Sequence, residues 1–240
     1  PVQKSVIDKV LAGKERSVVH AVDNISFTIG KGEVLGLAGE SGSGKSTTGR
    51  LLLRLIEPTA GIIRYKQKDM TEFSGREMEM LREKLQIVFQ DPNASLSPRM
   101  SVGQAIEHPL KIHNLGNAEE RRKRVLDLME RVGLSPAEFL YRKYPHQISG
   151  GQSQRVVLAR ALVTNPDFIV ADEPIAMADV SVRALILELM KDLKKDFNLT
   201  YLFITHDLAT AKYLCDRIAI MYLGRIVEIG TKDMLFGAPH

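Results

Sequence analysis

The stretch that most constrains this chain is Gly39-Glu40-Ser41-Gly42-Ser43-Gly44-Lys45-Ser46-Thr47, which fills every position of the pattern G-x-x-x-x-G-K-[ST]. It follows the apolar run Val34, Leu35, Gly36, Leu37, Ala38, which reads as a buried parallel strand. It precedes Arg50, Leu51, Leu52, Leu53 and Leu55, on a helix expected to stop before Pro58. Strand, glycine-rich loop and helix in that order are what a phosphate-binding loop requires. Glycine has no Cβ, so the backbone can aim successive N–H groups inward around an anion. Lys45 can then reach the β and γ phosphates, Ser46 can offer its hydroxyl to Mg²⁺, and the helix points its positive end at the polyphosphate. The implied ligand is a nucleoside triphosphate with magnesium, and the implied fold class is α/β.

A chain of 240 residues that is 44% hydrophobic can bury a sizeable core, either as one large domain or as a core with an inserted subdomain. No run approaches the roughly 18 apolar residues of a membrane helix, and the N-terminus lacks the plan of a signal peptide, so a soluble protein is expected. Cys215 is the single cysteine and cannot form an internal disulfide; a small core residue in a reducing compartment is the expectation. A formal net charge of +4 suits a polyanionic nucleotide or a nearby anionic membrane surface and is too weak to argue for nucleic acid. Pro1 in place of Met suggests a trimmed chain.

Residues 21–29 alternate (Val22, Ile25, Phe27, Ile29) and read as a strand that Gly30-Lys31-Gly32 turns into the next. A short strand is expected around Ile62, Ile63 and Tyr65, and a helix over 76–83. The strand 85–89 then delivers Gln90. In an open α/β sheet, ligands sit beyond the carboxyl ends of the strands, so Gln90 either touches magnesium or the attacking water, or is a plain surface glutamine. From 93 to about 162 the pattern turns helical. Ser101 with Gln104, and Asn117 with Glu120, form N-terminal capping pairs, and Val125, Leu128, Met129 and Val132 make an apolar stripe. The charge run 119–124 reads as a solvated face rather than a nucleic-acid contact, because no aromatic residues interleave with it.

Ser149-Gly150-Gly151-Gln152 opens another helix, carrying Val156, Val157, Ala161 and Leu162. Such an end is either a second anion-binding site or an ordinary N-cap. Phe168-Ile169-Val170-Ala171 is a buried strand that ends in Asp172-Glu173, and buried carboxylates are costly unless they hold metal or do chemistry. Asp172 fits a magnesium ligand and Glu173 a group that polarises the water attacking the γ phosphate. An amphipathic helix is expected over 181–196 (Ala184, Leu185, Leu187, Leu189, Leu193). The strand 201–204 then places His206 on the same sheet edge, where a γ-phosphate sensor belongs. Residues 218–229 read as a closing hairpin turned at Leu223-Gly224-Arg225, and Thr231 as the cap of a last short helix.

Taken together, the phosphate loop from Gly39 to Ser46, Gln90, Ser149-Gly150-Gly151-Gln152, Asp172-Glu173, Asp179 and His206, in that order, resemble the nucleotide-binding subunit of an ABC transporter over nearly the whole chain. Gly39-Glu40-Ser41-Gly42, the stretch 90–100 beginning Gln90-Asp91-Pro92, and Met221-Tyr222-Leu223-Gly224 resemble the dipeptide and oligopeptide importer branch. Oligosaccharide and nickel importers share that branch. The resemblance implies a RecA-like P-loop core (1–90 and 163–240) with an antiparallel β part, interrupted by an inserted helical signature subdomain (91–162). It also implies a head-to-tail dimer with ATP at the interface. Gly39, Ser41, Gly42, Ser43, Gly44, Lys45, Ser46 and Thr47 would hold the phosphates, while Ser46, Gln90 and Asp172 handle Mg²⁺. Glu173 would be the base, helped by Gln90, and His206 the switch. Ser149, Gly150, Gly151 and Gln152 would contact the nucleotide of the partner, with Asp179 linking the two sites. The segment 95–100, between Ser95 and Met100, would help receive a transmembrane permease subunit, on the cytoplasmic face of the cell membrane, with an extracellular or periplasmic solute-binding protein engaged only indirectly.

This sequence departs from the family pattern at several points. Arg16, with His20 nearby, stands where relatives stack adenine on an aromatic residue. Ala176 replaces a usual serine, Ile148 a usual leucine and Ser153 a usual arginine. Relatives of this branch also start with one more strand and carry a C-terminal extension, which again suggests a truncated chain. Two rivals follow. One is an ABC ATPase acting on nucleic acid or the ribosome, disfavoured by the absence of sustained heptads in the about 100 residues between phosphate loop and signature. The other is a catalytically impaired regulatory subunit, to which Ala176 and Arg16 point and against which Glu173 and His206 stand.

Overall fold

The computed structural model describes residues 20–237, the side chains of Val180 and Ser181 excepted. Arg16 therefore lies outside the described residues. The chain runs β1 (Val34–Ala38), α1 (Lys45–Leu52), the two-residue strands β2 (Arg64–Tyr65) and β3 (Lys68–Asp69), α2 (Gly75–Leu81) and β4 (Leu85–Val88). Five helices follow before the next strand: α3 (Pro92–Ser95), α4 (Val102–Ile112), α5 (Ala118–Arg131), α6 (Ala137–Tyr141) and α7 (Gly150–Leu162). The chain then closes with β5 (Phe168–Asp172), α8 (Val180–Phe197), β6 (Thr200–Thr205), α9 (Leu208–Leu214), β7 (Arg217–Tyr222), β8 (Arg225–Thr231) and α10 (Lys232–Gly237).

One six-stranded sheet in the order β4-β5-β6-β1-β7-β8 carries the site. All its neighbours pair in parallel except β7 and β8, whose hairpin is antiparallel. Both faces of the parallel strands are buried, which is why they read as continuous apolar runs. Val34, Ile169, Ala171 and Phe203 face a core shared with Ile106, Val125, Leu158 and Met190 of the helices. Leu35, Leu37, Val170, Leu202 and Ile204 face a second core with Leu53, Met70 and Met78. Cys215 is buried in the first core, and burial pushes its thiol up to about 12, so it is an inert packing residue.

Both capping pairs form as reciprocal boxes, Ser101 with Gln104 and Asn117 with Glu120. The hairpin tip takes positive φ at both Leu223 (+44°) and Gly224 (+81°), the geometry that matches the twist of the flanking strands. Thr231 Oγ1 accepts from the Met234 N–H at 3.4 Å at the start of α10.

Three expectations change. Residues 21–29 form no strand: their alternation is real, since Val22, Phe27 and Ile29 pack on the second core, but the segment has no strand partner among the described residues. The stripe that α8 buries is Ile186, Leu187, Met190 and Leu193, while Leu185 is 55% exposed, because the helix meets the core along i, i+4, i+7 from residue 186. The charge run on α5 is only partly solvated. Arg121 Nε pairs at 3.2 Å with the buried Glu107 of α4, and the guanidinium of Arg122 lies over the Tyr141 ring at 4.6 Å.

Candidate active site

Register brings the site together. Ala38 of β1 lies opposite Thr205 of β6, and Asp172 of β5 opposite Ile204, so the residues that follow each strand (Gly39, Glu173, His206) emerge side by side. Val88 of β4 pairs with Ala171, which places Gln90 at the same edge two residues on. A cleft of about 1100 Å³ opens there. Gly39, Ser41, Gly42, Gly44, Lys45, Ser46, Thr47, Gln90, Glu173 and His206 all line it.

The loop is bare because it must be. Gly39 has φ +154° and Gly44 φ +103°, and a Cβ on either would stand 2.1 Å from a carbonyl oxygen, that of Met221 or Ala21 respectively. The N–H groups at the start of α1 face the cleft with no side-chain cap, since Gly44 supplies none. An anion with several oxygens completes such an end. Lys45 is 4% exposed, and its Nζ donates to the carbonyls of Gly39 (2.8 Å) and Glu40 (2.7 Å). Burial lowers its pKa, against the opposing pull of Glu173 and Asp172. Ser43 is the one member of the loop that does not line the cleft: its side chain is buried, and its carbonyl accepts from Gly224 N–H at 2.9 Å.

Asp172 sits just beneath. It is 6% exposed, and burial raises its pKa while the hydroxyl of Ser46, donating at 2.9 Å, pulls it back down. Glu173 adopts φ +47°, a strained conformation for a side-chain-bearing residue, with its N–H bonded to Ile204 O at 3.0 Å. That turn throws its carboxylate into the cleft, where Oε2 accepts from Gln90 Nε2 at 3.1 Å and Oε1 lies 3.3 Å from His206 Nδ1. Among the described residues no group of three or more His, Cys, Asp or Glu side chains is placed to hold a metal unaided. That fits magnesium, which is bound through one or two carboxylates, a hydroxyl and substrate phosphates.

Ser149, Gly150, Gly151, Gln152 and Asp179 do not line this cleft. Ser149 is the N-cap of α7, closing a reciprocal box with Gln152, and Ser149 and Gly150 are exposed. The cleft also has a wall formed by His20, Ala21, Leu208, Ile220, Leu223 and Gly224, of which the sequence places only His20 near the nucleotide. Leu223 and Gly224 read in the sequence as a turn and as part of a stretch that resembles the importer branch; their place in the cleft follows from β7 lying beside β1, a pairing that sequence spacing does not encode.

The sequence profile of the family described as ABC transporter matches residues 22–176. A putative peptide import ATP-binding protein of Brucella ovis is 50% identical over 224 residues, 93% of this chain and 70% of that protein. The putative oligopeptide transport ATP-binding protein YkfD of Bacillus subtilis is 51% identical over 229 residues, 95% of this chain and 69% of that protein. The chain belongs to the ABC transporter family. Among solved structures, the ATP-binding cassette MJ0796, in a dimeric post-hydrolysis state bound to ADP and Pi, superposes with a TM-score of 0.81 at 32% identity, covering 91% of this chain and 94% of that one. This ABC cassette is an ATPase, and its cleft takes ATP with Mg²⁺. No helix among its described residues is long and apolar enough to cross a membrane.

Proposed function

We propose that this ABC cassette is the ATP-hydrolysing subunit of a prokaryotic importer of di- and oligopeptides, working as a head-to-tail dimer. The observation that carries the reading is the split of the site. Lys45, Ser46, Gln90, Glu173 and His206 line one cleft, with Asp172 bonded to Ser46 beneath it, while the glycine-rich end of α7 is exposed elsewhere and has no phosphate of its own to meet. A second copy packed head to tail would bring its α7 end to the open side of the cleft. Peptide import rests on the names of the Brucella and Bacillus relatives.

In this reading the N–H groups of residues 39–47 hold the phosphates, and Lys45 leaves its two carbonyl partners to neutralise the terminal ones. Ser46, Asp172 and Gln90 would hold magnesium, which supplies charge neutralisation at the phosphates. Glu173 takes a proton from the attacking water as the water's oxygen bonds to the γ phosphorus and the bond from that phosphorus to the β–γ bridging oxygen breaks, leaving ADP and inorganic phosphate. His206 holds the Glu173 carboxylate and the γ phosphate in register. Ser149, Gly150, Gly151 and Gln152 meet the partner's nucleotide, and Asp179 links the two sites. The base-binding role that the resemblance gives to position Arg16 belongs to the same proposal. The division into a core (1–90 and 163–240) and a helical signature subdomain (91–162) belongs to the same proposal. So do docking of the permease near 95–100, position on the cytoplasmic face of the membrane, and indirect coupling to a solute-binding protein.

The test is uptake in the source cell. Loss of this subunit should abolish accumulation of labelled di- or oligopeptides, restored by the wild-type chain and not by Glu173→Gln. Unchanged peptide uptake, with oligosaccharide or nickel uptake lost instead, would contradict the cargo.

A further inference from the structure

Gln154 lies on α7 one turn beyond the exposed signature end, on the face that carries Val157, Leu158 and Ala161 into the core. It is only 4% exposed, and its amide Nε2 donates to the main-chain oxygen of Pro174. Pro174 directly follows Glu173. From there the chain makes two tight turns, Ala176 N–H to Glu173 O (3.1 Å) and Ala178 N–H to Ile175 O (3.1 Å), and reaches Asp179 at the head of α8. At that head α7 touches again: a Cβ on Gly151 would stand 3.1 Å from Val182 Cγ1.

A residue needed at position 154 only for packing would be apolar, as its neighbours on that face are. A buried amide persists where its hydrogen bond decides between arrangements of the backbone it binds. Here it binds the carbonyl next to the residue that the cleft depends on, from the helix whose other end leaves the subunit. We propose that Gln154 is a positioning residue that locks the 173–179 loop to α7. The half-site presented to the partner is thereby set by the same backbone that aims Glu173. The inference rests on the dimer reading above.

The experiment uses Glu173→Gln as the background, so that ATP is held and not consumed, and follows ATP·Mg-driven dimerisation by sedimentation. Gln154→Met, which keeps the length and loses the donor, should raise the ATP concentration for half-dimerisation about tenfold, the factor that corresponds to about 1.4 kcal/mol and so to one lost buried hydrogen bond. Nucleotide affinity at protein concentrations too low for dimerisation should stay where it was, and the thermal midpoint should fall by no more than the about 3–6 °C that one lost buried hydrogen bond costs in a chain of this size. Should Gln154→Met fail to fold, Gln154→Leu is measured in the same way. Dimerisation equal to that of the background overturns the proposal. So does a joint fall of monomer affinity and thermal midpoint in both variants, which would mark Gln154 as part of the general packing. If Glu173→Gln alone stays monomeric with ATP bound, the dimer reading falls first and takes this inference with it.

Discussion

Ser46 Oγ donates a 2.9 Å hydrogen bond to Asp172 Oδ1, joining the start of α1 to the end of β5 across 126 residues of chain. It is one of several bonds with which the cleft satisfies itself: Lys45 is held by Gly39 and Glu40, and Glu173 by Gln90. In the proposed mechanism each is exchanged for a bond to nucleotide or metal, so binding would be a substitution of partners rather than the filling of a void, and the affinity of each contact a difference.

Asp172 gives a pH-dependent prediction. Burial raises its pKa above the ordinary carboxylate range. The folded state therefore binds a proton that the unfolded state has released, and stability falls as pH rises from that ordinary range through the raised value. Above that raised value the penalty is fully present. Asp172→Asn removes it, so the nucleotide-free protein should melt higher, by roughly 2–4 °C for each kcal/mol in a chain of this size. The same variant should lose the magnesium-dependent part of ATP affinity. Melting curves with and without ATP·Mg check both, and a lower midpoint without nucleotide would contradict the burial account.

Lys45→Ala should weaken ATP binding about 10- to 100-fold, since the net gain of one charge-assisted bond over those given up to Gly39 and Glu40 is worth about 1.5–3 kcal/mol. Equilibrium binding of a fluorescent ATP analogue measures it, and unchanged affinity would remove Lys45 from the phosphates.

His206 touches Glu173 but lies 59% exposed in its side chain, so it contributes little to the fold. His206→Ala should keep the thermal midpoint and ATP affinity while turnover falls about 100-fold or more. Steady-state kinetics beside binding separate the two, and a loss of affinity without loss of turnover would reverse the assignment.

The glycines of the phosphate loop should not respond alike. Gly42 has φ +80° and open space around its α-carbon, so Gly42→Ala costs about 1 kcal/mol of backbone strain. Gly44 adds a 2.1 Å collision with Ala21 O, and Gly44→Ala should cost about 3 kcal/mol. Denaturant titration compares them, and equal costs would mean that the 20–23 segment yields freely.

Much of this was legible in the sequence because short-range patterns encode it. Buried parallel strands read as apolar runs, capping boxes as residue pairs three apart, and the phosphate loop as glycine spacing beside a lysine. Asp172, Glu173 and His206 were legible for a further reason: polar residues at the ends of apolar strands can only project past the sheet edge. What was hidden depends on long-range placement. Residues 21–29 alternate like a strand because one face packs on the sheet, yet alternation does not say whether a neighbour completes the ladder. The wall at Leu223 and Gly224 exists because β7 joins the sheet beside β1. Gln154 did leave a signal, a polar residue on the apolar stripe of α7, but its partner Pro174 lies 20 residues away on another loop.

The central claim, that two copies build each ATP site and Glu173 performs the chemistry, is tested most directly by ATPase rate per chain against protein concentration, with magnesium, for wild type and Glu173→Gln. A specific rate that rises with concentration for the wild type and vanishes in the variant is the predicted result. A specific rate independent of concentration, or a Glu173→Gln rate equal to that of the wild type, would contradict it.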